Sequence, residues 1–131
     1  MATPISLGLD FGTESVRAIL VDARGTQLSM ATNDYAHGQI TERLPGTNET
    51  LPPKYALQSP SDWIESAASA TRAAMTGAGI SEADIVGIGV DFTSCTMLPT
   101  TRDGRPLCEL DSFKHVPLAW PKLWKHHGAI E

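Results

Sequence analysis

Asp10, Gly12, Thr13, Ser15 and Arg17 lie within one short stretch, Asp10-Phe11-Gly12-Thr13-Glu14-Ser15-Val16-Arg17. Together these residue types can hold a phosphate. A turn at Gly12-Thr13-Glu14 offers backbone N–H groups, and Thr13 and Ser15 add hydroxyls, which suits an anion-binding turn. Gly12 is expected to allow a backbone conformation that other residues resist and to leave room for a ligand. Asp10 ends an apolar run and can hold Mg²⁺ through water, because magnesium takes few carboxylates and fills its shell with water and substrate phosphates. Arg17 can stabilise negative charge on a phosphoryl group in transfer. A plain hairpin with turn-friendly residues would have similar composition. A carboxylate closing an apolar strand is costly without a partner, and that tilts the reading towards function.

A second stretch with chemical potential is Asp91-Phe92-Thr93-Ser94-Cys95-Thr96. Ligands of parallel sheets sit beyond the carboxyl ends of the strands. Small residues there leave space for a sugar, and their hydroxyls and amides can bind its oxygens. The plainer alternative is that Thr93 and Thr96 satisfy local backbone groups and that Asp91 orients the loop. Cys95 has no base nearby in sequence, so it is not read as a nucleophile. His126 and His127 are adjacent, and adjacent helical residues do not share a face. Joint metal ligation is therefore not expected, and a structural role is preferred.

These groups need elements to position them. Residues 5–11 read as a buried strand and 15–21 as a second, rich in Val, Ile and Leu. A turn at Ala23-Arg24-Gly25-Thr26 leads to a third strand over 27–35. Two short turns in succession imply a meander of three antiparallel strands. Residues 38–57 carry Gly38, Pro45, Gly46, Pro52 and Pro53 and keep no period, which marks a long loop that is functional or partly disordered. Ser59-Pro60-Ser61-Asp62 reads as a helix start, with Ser59 as cap and Asp62 in capping-box position. Trp63, Ala67, Ala70 and Ala74 share a face, extended by Ile64, Ala68, Thr71 and Met75. The helix should stop between Gly77 and Gly79. The run Ile85–Phe92 reads as a buried strand, reached by a crossover and hence parallel to the first. Residues 97–100 read as a further strand, and a helix is expected after Pro121, with Leu123 and Trp124 inside it.

Length and composition frame this. The chain has 131 residues, 41% apolar and 19% charged, which fits one domain with a single modest core. A net charge of −5 without a basic run argues against nucleic acid and acidic membranes. Two cysteines, Cys95 and Cys108, are too few for a disulfide framework and read as buried thiols in a reducing compartment. With no signal-peptide pattern and no apolar run near membrane-spanning length, a soluble cytoplasmic protein is expected.

The segment from Leu7 to Arg17, followed by Val21-Asp22, resembles the first phosphate motif of the FGGY carbohydrate kinases, within the actin-like and hexokinase-like ATPases. The resemblance implies an α/β, ribonuclease-H-like mixed sheet of three antiparallel strands, then parallel strands, with helices. It implies ATP and Mg²⁺ as cofactors, Asp10 near the metal, and Gly12, Thr13, Ser15 and Arg17 near the β- and γ-phosphates. Glu14 departs from the commoner small or polar residue there. Tyr35-Ala36-His37-Gly38, the stretch from Leu51 to Pro60, Val86 to Thr96, and Leu123-Trp124-Lys125-His126-His127 are similar to the branch that phosphorylates L-ribulose to L-ribulose 5-phosphate. By that resemblance the residue after Phe-Thr lines the sugar pocket, so Ser94 leads the substrate-binding candidates, followed by Thr93, Cys95 and Thr96. The segment around His126 and His127 would line the approach to that pocket. The alternatives are another FGGY sugar or polyol kinase, such as one for xylulose, or a non-catalytic nucleotide- or sugar-binding module. The resemblance also implies that the general base, an aspartate, and a second domain lie beyond Glu131. The chain then corresponds to the N-terminal part of the first domain, incomplete and inactive alone. A homodimer of the intact enzyme is left open.

Overall fold

The computed structural model describes residues 3–128. Three strands open the chain: β1 (Ile5–Phe11), β2 (Ser15–Asp22) and β3 (Gln27–Asp34). β1 pairs with β2 and β2 with β3, both antiparallel, as short connections require. The second turn is held by Asp22, whose Oδ1 accepts the N–H of Arg24 at 2.9 Å and of Thr26 at 2.8 Å. The bond from Thr26 keeps the Asp22 carboxyl below its ordinary range. Gly25 takes a φ of +85° there, a region glycine enters at little cost. The helix α1 (Pro60–Ala78) and a 3₁₀ turn (Glu82–Asp84) carry the chain to β4 (Ile85–Phe92). β4 runs parallel to β1, giving the order β3-β2-β1-β4. This is the mixed sheet expected from the sequence.

The expected single core is instead two, because the chain forms two compact units. One comprises the stretch up to Tyr35 together with Trp63–Phe92, and the other comprises Ala36–Asp62 together with the stretch from Thr93 onward. In the first unit Ile5, Leu7, Ala18 and Leu20 of the sheet bury against Ala70 and Ala74 of α1. Small side chains bring the helix close. A Cβ built on Gly77 would lie 2.7 Å from Ser29 Oγ. Alanine also favours the helix intrinsically. Gly79, at φ +65°, ends it. The Gly79 N–H donates to the Thr76 carbonyl and the Ile80 N–H to that of Met75, both at 3.2 Å, which is the Schellman closure.

Two expectations about α1 fail. Ile64 is exposed rather than part of the buried face, which follows Ser66, Ala70 and Ala74 at four-residue steps. Asp62 does not close a capping box, because its carboxylate is taken by His37, while Ser59 Oγ pairs with Ser61 Oγ at 2.8 Å.

β4 was expected to be buried, and it is not. From Val86 to Phe92 every residue is exposed. The in-register pairs Leu7–Ile88, Leu9–Val90 and Phe11–Phe92 put the large β4 side chains on the same face as the core. α1 shelters Leu7 but leaves Ile88 64% and Phe92 68% exposed. Among the described residues no strand pairs with the outer edge of β4.

In the second unit Ile40, Leu44, Leu51, Leu57, Cys108 and Trp120 cluster. The long loop is therefore irregular but ordered around its own apolar residues. It folds back on itself through isolated bridges between Ile40 and Leu57 and between Arg43 and Thr50. The strand expected over 97–100 is reduced to bridges from Met97 to Lys122 and from Thr100 to Pro106. Among the described residues the expected helix after Pro121 is absent. Short 3₁₀ turns at Leu107–Glu109 and Pro117–Ala119 precede this stretch. Cys95 is exposed, against expectation, and Cys108 is buried. Among the described residues no helix is long and apolar enough to cross a membrane.

Candidate functional site

The first unit carries the phosphate-type residues. Asp10 on β1 pairs in register with Arg17 on β2, and also with Asp91 on β4. Arg17 in turn faces Thr32 on β3. Register partners share a face of a sheet, so Thr32, Arg17, Asp10 and Asp91 form one polar row across all four strands. Leu7, Ala18 and Leu20 alternate with them on the side packed by α1. The row therefore lies on the helix-free face, near the carboxyl ends of the parallel strands. Glycine keeps that face low next to the row, where Gly8 is paired with Gly89.

Arg17 Nη1 lies 3.4 Å from Asp10 Oδ2, with each side chain about half exposed. An exposed pair of this kind is worth at most about 1 kcal/mol. It can therefore be opened by a ligand at small cost. Asp91 Oδ1 accepts the N–H of Phe92 at 2.9 Å. Two carboxylates in adjacent register repel one another, and one arginine offsets only one of them. A divalent cation would offset the rest. Oxygen donors with no third acidic, histidine or cysteine ligand among the described residues suit an ion that keeps water and phosphate in its shell.

The turn at the mouth of β1 and β2 is closed by the Gly12 N–H donating to the Ser15 carbonyl at 2.9 Å. Gly12 is not in the left-handed region, contrary to expectation. Its value is close approach, since a Cβ would come within 3.2 Å of the Ser15 oxygen. Tyr35, which the sequence did not mark as part of this site, is 5% exposed and donates its hydroxyl to the Gly12 carbonyl at 3.0 Å. Only its position one residue past β3 could have signalled that.

The second unit carries Thr93, Ser94, Cys95 and Thr96, directly after β4 in the chain. Two features of this loop are energetically costly. Cys95 is held at φ +66°, a conformation worth about 1–3 kcal/mol for a residue with a side chain. Thr96 Oγ1 is enclosed without a hydrogen-bond partner among the described residues, which costs about 1–3 kcal/mol. Ser94 is exposed, and the Cys95 thiol lies 3.9 Å from its hydroxyl. His126 and His127 have separate fates. His126 Nδ1 accepts the Ala56 N–H at 3.2 Å, and its ring meets Tyr55 edge-on at 4.5 Å between centroids. Burial, with Lys122 and His127 nearby, lowers its pKa. His127 is exposed. The arrangement supports the structural reading for His126.

Residues 5–114 match the model of the N-terminal domain of the FGGY family of carbohydrate kinases. The chain belongs to that family. Over 123 residues it is 50% identical to a ribulokinase of Geobacillus thermodenitrificans, covering 94% of this chain and 22% of that protein. A ribulokinase of Halalkalibacterium halodurans is 46% identical over 130 residues, covering 98% of this chain and 23% of that protein. The chain thus spans about a quarter of the length of these FGGY relatives. The fold also matches a gluconate kinase from Lactobacillus acidophilus, with a TM-score of 0.68 at 15% identity, over 95% of this chain and 20% of that one.

Proposed function

We propose that this chain supplies the phosphate-binding hairpin and part of the sugar pocket of an ATP-dependent kinase that converts L-ribulose to L-ribulose 5-phosphate. The observation that carries the kinase reading is the polar row, in which Asp10, Arg17 and Asp91 meet on the helix-free face beside the Gly12 turn. The choice of ribulose draws on the relatives named ribulokinase at 46–50% identity.

In this reading Gly12, Thr13 and Ser15 cradle the β- and γ-phosphates through backbone and hydroxyl groups. Asp10 would hold Mg²⁺, which would supply neutralisation of phosphate charge when bound. Arg17 swings from Asp10 to the transferring group, a small movement given how weak their pairing is. Ser94 is the leading contact to the sugar, with Thr93, Cys95 and Thr96 beside it. The strain at Cys95 and the orphaned Thr96 hydroxyl support a ligand role for that loop, because such costs collect where function requires them. The general base that takes the proton of the 5-hydroxyl, and the adenine pocket, would come from sequence outside these residues.

The test is ADP release by the complete gene product with ATP, Mg²⁺ and L-ribulose, against xylulose and glycerol. Ribulose-dependent turnover well above the other sugars is expected. Preference for xylulose or glycerol would retain the kinase and discard the sugar. No sugar-dependent turnover at all would leave a binding module.

A further inference from the structure

We infer that Tyr35 is a positioning residue that sets the pose of the phosphate turn; this rests on the kinase reading above. Tyr35 holds the turn at two points. Its backbone N–H donates to the Glu14 carbonyl at 2.8 Å. Its hydroxyl, at the far end of a buried ring, donates to the Gly12 carbonyl at 3.0 Å. Gly12-Thr13-Glu14 is thus gripped from both ends by a single residue of β3's exit.

The consequence follows from peptide geometry. In a planar trans peptide the C=O of one residue and the N–H of the next point in opposite directions. Fixing the Gly12 carbonyl on the Tyr35 hydroxyl fixes the direction of the Thr13 N–H, and fixing the Glu14 carbonyl does the same for Ser15. The amides of Thr13 and Ser15 are those on which phosphate binding by the turn would depend. The ring hydroxyl sets the first and the backbone N–H of Tyr35 the second before any ligand arrives, and preorganised donors stabilise charge without a reorganisation cost. Gly12 assists, because a Cβ there would come within 3.2 Å of the Ser15 carbonyl oxygen, closer than an unstrained contact.

The test is Tyr35→Phe in the complete gene product, which keeps the ring and removes only the hydroxyl. Loss of one hydrogen bond to a carbonyl that needs it corresponds to about a tenfold effect. The expected result is a KM for ATP raised about tenfold, with the KM for the sugar within about twofold of the parent. Amide exchange at Thr13 should also be faster in the variant without nucleotide, while that at Ser15, set by the retained backbone bond of residue 35 to Glu14, should change little. An active enzyme whose ATP KM is unchanged, or whose two KM values rise together, overturns the role of Tyr35 and leaves the kinase reading standing. A parent protein with no sugar-dependent turnover overturns the kinase reading, and the role of Tyr35 with it.

Discussion

The imidazole of His37 meets the buried carboxylate of Asp62 at 2.7 Å, and the same carboxylate accepts the His37 backbone N–H at 2.9 Å. One residue thus occupies both oxygens of the other, and Asp62 is only 2% exposed. The bond fastens the start of the long loop to the first turn of α1.

Removing the carboxylate leaves a ring nitrogen and a backbone N–H without their acceptor. Asp62→Ala should lower stability by about 2–3 kcal/mol, within the range for losing a hydrogen-bonded charge from a buried site. His37→Gly should cost about as much, whereas His37→Asn, which keeps a donor, should cost less. Urea unfolding of the three variants gives the order directly. A cost for Asp62→Ala within about 0.5 kcal/mol of zero would show that the pair is idle.

Asp10 and Arg17 should differ in what their loss does to catalysis. Asp10→Asn removes the group proposed to hold Mg²⁺ and should lower kcat by about 10- to 100-fold, partly recovered at high Mg²⁺. Arg17→Lys keeps the charge but loses the planar fork, and should lower kcat by a similar factor with no rescue by Mg²⁺. Steady-state kinetics over a magnesium series separates the two. Equal rescue of both variants would contradict the division of roles.

The two thiols should react very differently. Cys108 is buried, and burial together with Glu109 pushes its pKa to about 11. Cys95 is exposed. A thiol reagent at pH 8 should therefore label Cys95 alone until the protein is unfolded. The raised pKa means that the folded state holds the Cys108 proton more tightly than the unfolded state does. Its contribution to stability is full below pH 9 and is lost as pH rises towards about 11. Replacing Cys108 with Ala should flatten that alkaline loss, read as the change in Tm between pH 8 and pH 10.5.

The two cores can be probed independently. Leu20 and Leu57 are both fully buried, one in each unit. Truncation of either to Ala should cost about 2–5 kcal/mol, the usual price of a cavity left in a packed core. Exposed Ile64 truncated in the same way should change stability by less than about 0.5 kcal/mol. Urea midpoints for the three variants test this ranking, and a large cost at Ile64 would reverse it.

Local patterns were readable where they act over a few residues. The meander, the extent of α1 and the parallel setting of β4 follow from turn spacing, from alanine-rich periodicity and from a crossover. The phosphate-type residues could be picked out because Asp10, Arg17 and the glycine turn lie close in sequence. What was hidden depends on distant partners. Nothing near Tyr35 in sequence announces a bond to Gly12, and nothing near Asp62 predicts that His37 displaces its capping role. The apolar run of β4 predicts burial because hydrophobicity reports what a strand prefers and not what is placed over it. The second unit was least readable. Its core gathers Ile40, Leu57, Cys108 and Trp120 from segments that prolines and glycines leave without a period.

From Ile85 to Val90 the sequence Ile-Val-Gly-Ile-Gly-Val has no charge and no proline, and the strand it forms offers an open edge and an uncovered apolar stripe. Segments of that kind template growth of stacked strands, chain upon chain. Produced as these 131 residues alone, the chain should show light scattering that rises with concentration, and cellular chaperones would find in Val86, Ile88 and Val90 the kind of surface they retain. A lysine at Ile88 would act as a gatekeeper and keep the chain dispersed. Among the described residues, the strand that sets Asp91 beside Asp10 thus also carries an open edge and an uncovered apolar stripe.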